Sequence, residues 1–354
     1  WFGPYPYGHI TIVDPAWQSG SGGMEYPTLF TAGTRWLAPS GVTTPEGVTI
    51  HEAGHQFWHL LVANNEVDYA WLDEGLNTYA TARVLAEAFS PSYHSERFFG
   101  GFIPWVYRGL PLPRETVRNR LPTYRPAAES DTPARPSWQY HPATGAQITY
   151  AKTALWLHTL ERMLGWPTVQ KILATFFERW RFRHPTPDDF FAVANEVSGR
   201  DLRPFFDQVY RSSHEVDYGI QQLTSTRVAT YGFGDDSPPR FARNVAEPAA
   251  WETIVVVRRY GEAILPVDVE VEFENGERWR EQWDGRERWH AFRLTREARA
   301  RTARVDPDRV LLLDVNLTNN SRSLHPMGAT AARRWALTWL TWMQDRALTF
   351  GMAF

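Results

Sequence analysis

His51-Glu52-Ala53-Gly54-His55 is followed, after eighteen residues, by Glu74 within Trp71-Leu72-Asp73-Glu74-Gly75-Leu76-Asn77. Upstream, Thr43-Thr44-Pro45-Glu46 reads as a helix start, with Thr44 as N-cap, Pro45 in the first turn and Glu46 at the positive end. The helix is expected to run to about Val62 and to stop at Asn64-Asn65. Residues i and i+4 share a helix face, so His51 and His55 can chelate one metal ion, and Glu52 can reach a water bound to it. Neutral imidazoles and a tetrahedral demand suit zinc. A catalytic zinc needs a third protein ligand and an open position. A second helix over Trp71–Phe89, folding back at Asn64-Asn65, brings Glu74 to the two histidines.

Working outward, His9 to Val13 reads as a strand and Ser19 to Gly23 as a glycine-rich turn. Residues 91–146 are rich in Pro, Arg, Ser and Tyr with poor periodicity, the pattern of a functional lid. Helical spacing returns from Tyr150 to Leu164, ending at Gly165, and again over Val169 to Trp180. Thr186-Pro187-Asp188-Asp189 starts a further helix ending at Ser198-Gly199, and Phe205, Phe206 and Tyr210 mark a short last one. Near residue 215 the period changes to two. Val267, Val269, Val271 and Phe273 alternate with acidic residues up to Asn275-Gly276, a hairpin signal. Trp251–Tyr260 and Arg309–Val315 also read as strands, so residues ~215–320 form a small β-sandwich. From Ala329 the tail is helical, with Trp335, Trp339 and Trp342 on one face. That face suits packing on the parent protein, with contact to a membrane surface as the alternative.

Composition narrows the classes. The 354 residues carry 37 basic and 40 acidic side chains, a net charge of −3, which argues against a general nucleic-acid binder. There is no cysteine, so disulfides, thiol catalysis and cysteine-ligated metals are excluded. No apolar run approaches the ~20 residues of a membrane-spanning helix. Only Lys152 and Lys171 are lysines; the other basic residues are arginine. Phosphate-binding glycine loops, serine elbows and nucleotide fingerprints are missing. The first residue is Trp and no signal-peptide pattern follows, so a trimmed piece of a longer chain is expected. No compartment is legible, an extracytoplasmic one being favoured.

The pattern His51-Glu52-x-x-His55, eighteen residues, then Glu74 in WLDEG resembles the aminopeptidase N-like family of gluzincin zinc metallopeptidases, which includes the leukotriene hydrolase enzymes. Gly22-Gly23-Met24-Glu25-Tyr26 resembles the family's Gly-x-Met-Glu-Asn segment, which lines the substrate cleft. Ile148-Thr149-Tyr150-Ala151-Lys152 resembles the segment with the family's catalytic Tyr, and Phe190 to Phe206 the helical stretch closing the catalytic domain. These matches cover about residues 5 to 210.

The resemblance implies an α+β, thermolysin-like catalytic domain over 1–213 and a β-sandwich over 214–322, while the helical tail over 323–354 stands in place of the family's C-terminal helical domain. It implies one zinc ion on His51, His55 and Glu74. Glu52 is then the general base and Tyr150 the oxyanion donor. Gly22, Gly23, Met24 and Glu25 would bind substrate, with Glu25 on the α-amine of a peptide. The expected activity is removal of N-terminal residues. A silent accessory subunit of a larger assembly, an endopeptidase or an epoxide hydrolase on the same scaffold are the alternatives. Two departures stand out: Tyr26 replaces the expected Asn, and the family's N-terminal β-domain is missing, so that domain or a partner chain is expected to complete the cleft. Asp73 reads as a group behind the ligands or a cap. His59, one turn after His55, could serve as a ligand but the complete triad leaves it unnecessary; His141 reads as solvated, with substrate contact as the alternative. Asn316-Leu317-Thr318 is a weak glycosylation signal, and the arginines of 278–301 read as a solvated face.

Overall fold

The structure, a computed structural model, describes residues 1–16, 19–34, 44–89, 120–228, 250–326, 328–333, 335–336 and 339. The side chains of Thr44 and Pro45, residues 91–119 of the expected lid, and Trp342 lie outside them. The chain divides into two compact units, Trp1–His214 (grouped with the segment from Ala329) and Glu215–Gly328.

The first unit opens with a mixed three-stranded sheet in the order β1-β3-β2, from β1 (Thr11–Val13), β2 (Gly23–Tyr26) and β3 (Leu29–Ala32). β1 is parallel and β2 antiparallel to β3, with Glu25 opposite Phe30. Helix α1 (Thr44–His55) follows. It ends seven residues before the expected Val62. Burial of Trp58, Leu61 and Val62 takes the chain out of the helix: Val62 bridges to Arg183, and Ala63 N–H donates to the Arg183 carbonyl at 3.0 Å. His59 sits at the reversal with φ of 84°.

The next helix begins with a π-helical turn, Trp71–Gly75, in which the N–H of Leu76 reaches the carbonyl of Trp71, five residues back. It continues as α2 (Leu76–Ala88). In the expected lid the described part holds α3 (Arg120–Tyr124) and two 3-10 turns, Arg125–Ala127 and Ser137–Gln139. A second π-helical turn, Ala146–Lys152, leads into α4 (Thr153–Leu164). The helices α5 (Trp166–Trp180), α6 (Pro187–Ser198) and α7 (Arg203–Val209) follow.

Local chemistry explains these boundaries. Gly165 stands at φ 83°, a left-handed value that glycine adopts freely, and separates α4 from α5. Thr186 and Asp189 form a capping box on α6, and Gly199 closes that helix at φ 65°. The core is aromatic. Trp71, the first residue of the π turn, is buried among Trp156 (5.2 Å), Phe190 (5.5 Å), Phe191 (5.9 Å) and Tyr210 (5.4 Å). Packing of this kind contributes both burial and ring-edge attraction, about 0.5–1.5 kcal/mol per aromatic pair beyond area.

The second unit holds two antiparallel sheets. One has the order β10-β9-β6-β7, from β6 (Val267–Phe273), β7 (Arg278–Trp283), β9 (Ala300–Val305) and β10 (Ser321–Ser323). The other is β4-β5-β8, from β4 (Tyr218–Arg227), β5 (Trp251–Arg259) and β8 (Trp289–Arg296). The alternating valines of β6 are buried, and Gly276 turns the β6–β7 hairpin at φ 87°. Arg309–Val315 is not a strand. Asp306 and Arg309 take positive φ, and the Asp306 carboxylate accepts the N–H groups of Val310 and Leu311, both at 2.8 Å, so a side-chain turn replaces ladder pairing. In the tail, residues 328–333 are helical, and Trp335 and Trp339 lie exposed with ring centroids 5.6 Å apart. Among the described residues no helix is long and apolar enough to cross a membrane.

Candidate metal centre and active site

The last turn of α1 presents His51 and His55 on one face, and the first π turn brings Glu74 against them. His51 Nε2 is 3.0 Å from Glu74 Oε2, His55 Nε2 is 3.4 Å from the same oxygen, and the two imidazole nitrogens are 3.2 Å apart. Three electron-pair donors thus face one point. A tetrahedral ion with ligand bonds of about 2.0–2.1 Å has ligand–ligand edges of about 3.3 Å, which is the spacing found, so the donor set fits zinc.

The groups behind the donors set their direction. His55 Nδ1 is 2.7 Å from Asp73 Oδ1, which leaves Nε2 to face the cluster. Asn77 Nδ2 donates to the His51 carbonyl at 2.6 Å, and Thr81 Oγ1 lies 3.5 Å from His51 Nδ1. Gly54 is required here, because a Cβ at that position would strike the Asn77 amide. Gln56, the residue after His55, donates from Nε2 to the Tyr26 carbonyl at 3.0 Å and accepts from the Thr28 N–H at 3.0 Å and from Tyr5 at 3.1 Å. It ties the β2–β3 turn, and hence Glu25, to the end of α1. Gln56, Asn77 and Thr81 are not among the sequence-derived candidates. Their signal was their place beside the ligands, one residue after His55 and three and seven after Glu74.

Charge is concentrated and poorly solvated. Burial, with Glu25, Glu74 and Asp73 nearby, raises Glu52 to about 7 against the pull of His55. Glu52 is 5% exposed and its Oε2 is buried without a hydrogen-bond partner. Burial opposes protonation of His55, but Asp73 and Glu74 outweigh it and lift its pKa to about 10. Burial also pushes Glu74 up, yet its hydrogen bonds to His51 and His55 hold it well below the usual carboxylate range. The cluster therefore attracts positive charge at the point where the three donors meet.

Tyr150 sits on the second π turn, its ring 6.2 Å from that of His51. Burial and Glu74 raise its hydroxyl well above the ordinary value, so it stays protonated and able to donate. Glu25 projects from edge strand β2 and its carboxylate lies within 4.8 Å of ligand atoms of Glu52 and His55. Gly23 lets Glu52 approach that strand: a Cβ there would stand 2.6 Å from Glu52 Oε1. Gly22 accepts the N–H of Gly33 at 2.7 Å through its carbonyl, and Met24 is exposed; neither adds a side chain to the cluster. His141 lies apart, on Asp131, at 3.1 Å. His59 joins a neighbouring group with Glu25, Glu66 and Asp73.

A partly buried donor triad, an adjacent carboxylate and a mixed sheet bordering a helical subdomain define the thermolysin-like class of α+β peptidase folds. Comparison places the chain within it. The peptidase family M1 domain matches residues 1–209, and the chain belongs to that family. A leukotriene A-4 hydrolase homolog of Botryotinia fuckeliana is 26% identical over 202 residues, 56% of this chain and 29% of that protein. Aminopeptidase N of Lactococcus lactis is 26% identical over 162 residues, 45% of this chain and 18% of its own length. Aminopeptidase B of Rattus norvegicus is 34% identical over 98 residues, 26% and 14% of the two chains. The chain thus spans less than a third of the length of each of these relatives. The crystal structure of Legionella pneumophila aminopeptidase A shares the fold, with a TM-score of 0.53 at 16% identity, covering 86% of this chain and 31% of that one.

Proposed function

We propose that this chain is a zinc-dependent aminopeptidase, hydrolysing the peptide bond next to a free N-terminus. The carrying observation is the convergence of His51, His55 and Glu74 beside a buried Glu52 with one carboxylate oxygen unpartnered. These three residues would hold the ion, which when bound polarises a carbonyl and acidifies water. Glu52, held as a weak base by burial, accepts the proton of the attacking water and passes it to the leaving amine. Tyr150 donates its hydroxyl proton in a hydrogen bond to the oxygen that becomes negative at the tetrahedral stage. Glu25 accepts from the substrate ammonium, and its place at the edge of the sheet sets how far a peptide enters. Names of relatives that include aminopeptidases N and B support this reading.

The test pairs a variant with a substrate change. The chain should cleave free-amine peptides at least about 100-fold better than their N-acetylated forms. Glu52→Gln should lower turnover by about 10²–10⁴-fold while keeping bound zinc. Equal cleavage of acetylated peptides would make the chain an endopeptidase, and full activity in Glu52→Gln would remove the mechanism.

A further inference from the structure

A second group of donors stands beside the first. Glu25, His59, Glu66 and Asp73 each offer one ligand atom, and these atoms all lie within 4.8 Å of one another. That span is the width of one coordination sphere, since opposed ligands at about 2.0–2.5 Å from an ion are about 4–5 Å apart. The spacing inside the group is otherwise hard to account for. His59 Nδ1 is buried and makes no hydrogen bond; Asp73 Oδ2 faces it at 3.8 Å. His59 Nε2 stands at the same 3.8 Å from Glu66 Oε2. Both separations exceed a hydrogen bond; Glu66 is exposed, but for the buried Nδ1 and Asp73 such a gap is unfavourable unless something lies between them. Asp73 is 2% exposed, so water does little for it. Among the described residues no arginine or lysine pairs with Glu25, Glu66 or Asp73.

We propose that Glu25, His59, Glu66 and Asp73 form a second, weaker divalent-cation site next to the catalytic one. The imidazole favours zinc or a similar transition ion over calcium or magnesium, which take oxygen donors. Glu25 also borders the catalytic groups: its carboxylate lies within 4.8 Å of ligand atoms of Glu52 and His55. An ion in the second site therefore takes the carboxylate assigned above to the substrate ammonium. Excess metal then competes with substrate. This consequence rests on the proposed peptidase activity; the site itself does not.

Metal uptake separates the two. The full chain is dialysed against rising zinc and the bound metal counted, beside His59→Gly and Glu66→Gln. Glycine at 59 suits the φ of 84° without strain, so that variant keeps its fold. We expect two equivalents in the parent chain, the second bound more weakly, and one equivalent in each variant. A single equivalent in the parent at millimolar zinc, or a second equivalent retained in both variants, overturns the site. Kinetics form the other arm. Excess zinc should raise the KM for a free-amine aminoacyl substrate at least fivefold in the parent and leave His59→Gly unaffected. Uptake of the second ion with no change in KM would overturn the competition at Glu25.

Discussion

Glu52 has lost most of its water and has no hydrogen bond on one oxygen, the state that makes a carboxylate a stronger base than in solution. Tyr150, its ring against that of His51, carries a hydroxyl that burial and Glu74 keep protonated. Removing that hydroxyl in Tyr150→Phe should lower kcat by about 10²–10³-fold with little change in KM, because the bond forms only with the developing oxyanion; steady-state kinetics on one aminoacyl substrate reads the split. Lys152, two residues on, carries a different consequence. Its ammonium is buried, donates to the Ser212 carbonyl at 2.8 Å, and is pushed down to about 7 by burial, with Asp131 opposing. Between pH about 7 and about 10.4 the unfolded chain holds a proton that the native chain does not. Stability should therefore rise with pH in that window, by up to about 1.4 kcal/mol per unit. Lys152→Met should flatten the rise, as read from urea midpoints at pH 7.5 and 9.5.

At the scale of elements, both helices that complete the site begin with a π-helical turn, Trp71–Gly75 and Ala146–Lys152, and these carry Glu74 and Tyr150. An extra residue per turn rotates a side chain away from the face that ordinary helical spacing assigns it. Trp71, wedged among four aromatic rings, holds the first of these turns in place. The pairing of α1 with α2 depends on Gly54, where a Cβ would meet Asn77. In Gly54→Ala that amide must move and the bond to the His51 carbonyl is lost. We expect a loss of about 1–3 kcal/mol in stability and a clear weakening of zinc binding, measured by denaturant unfolding and metal competition.

Among the described residues there are two hydrophobic cores, an aromatic one in Trp1–His214 and a valine-rich one in Glu215–Gly328. Units with their own cores tend to unfold separately. Calorimetry should show two transitions, and a chelator should lower the midpoint of one and leave the other in place, since ligand binding stabilises only the unit that binds. A single transition that ignores the chelator would count against both the division and the metal.

Several features of the chain were set by local chemistry and could be read without coordinates. The i, i+4 histidines, the return of Glu74 after a turn, the caps at Gly165, Thr186 and Gly199, and the period of two in β6 each depend on neighbours within a few residues or on one helical repeat. The early end of α1, the π turns and the turn at Arg309–Val315 depend on partners far along the chain or on side chains that compete with the backbone. So do the burial that raises Glu52 and the meeting of His59 with Glu25 and Glu66. Periodicity records which residues prefer the inside. Only the folded chain decides which of them meet there, because packing strength comes from contacts that sequence neighbours do not share.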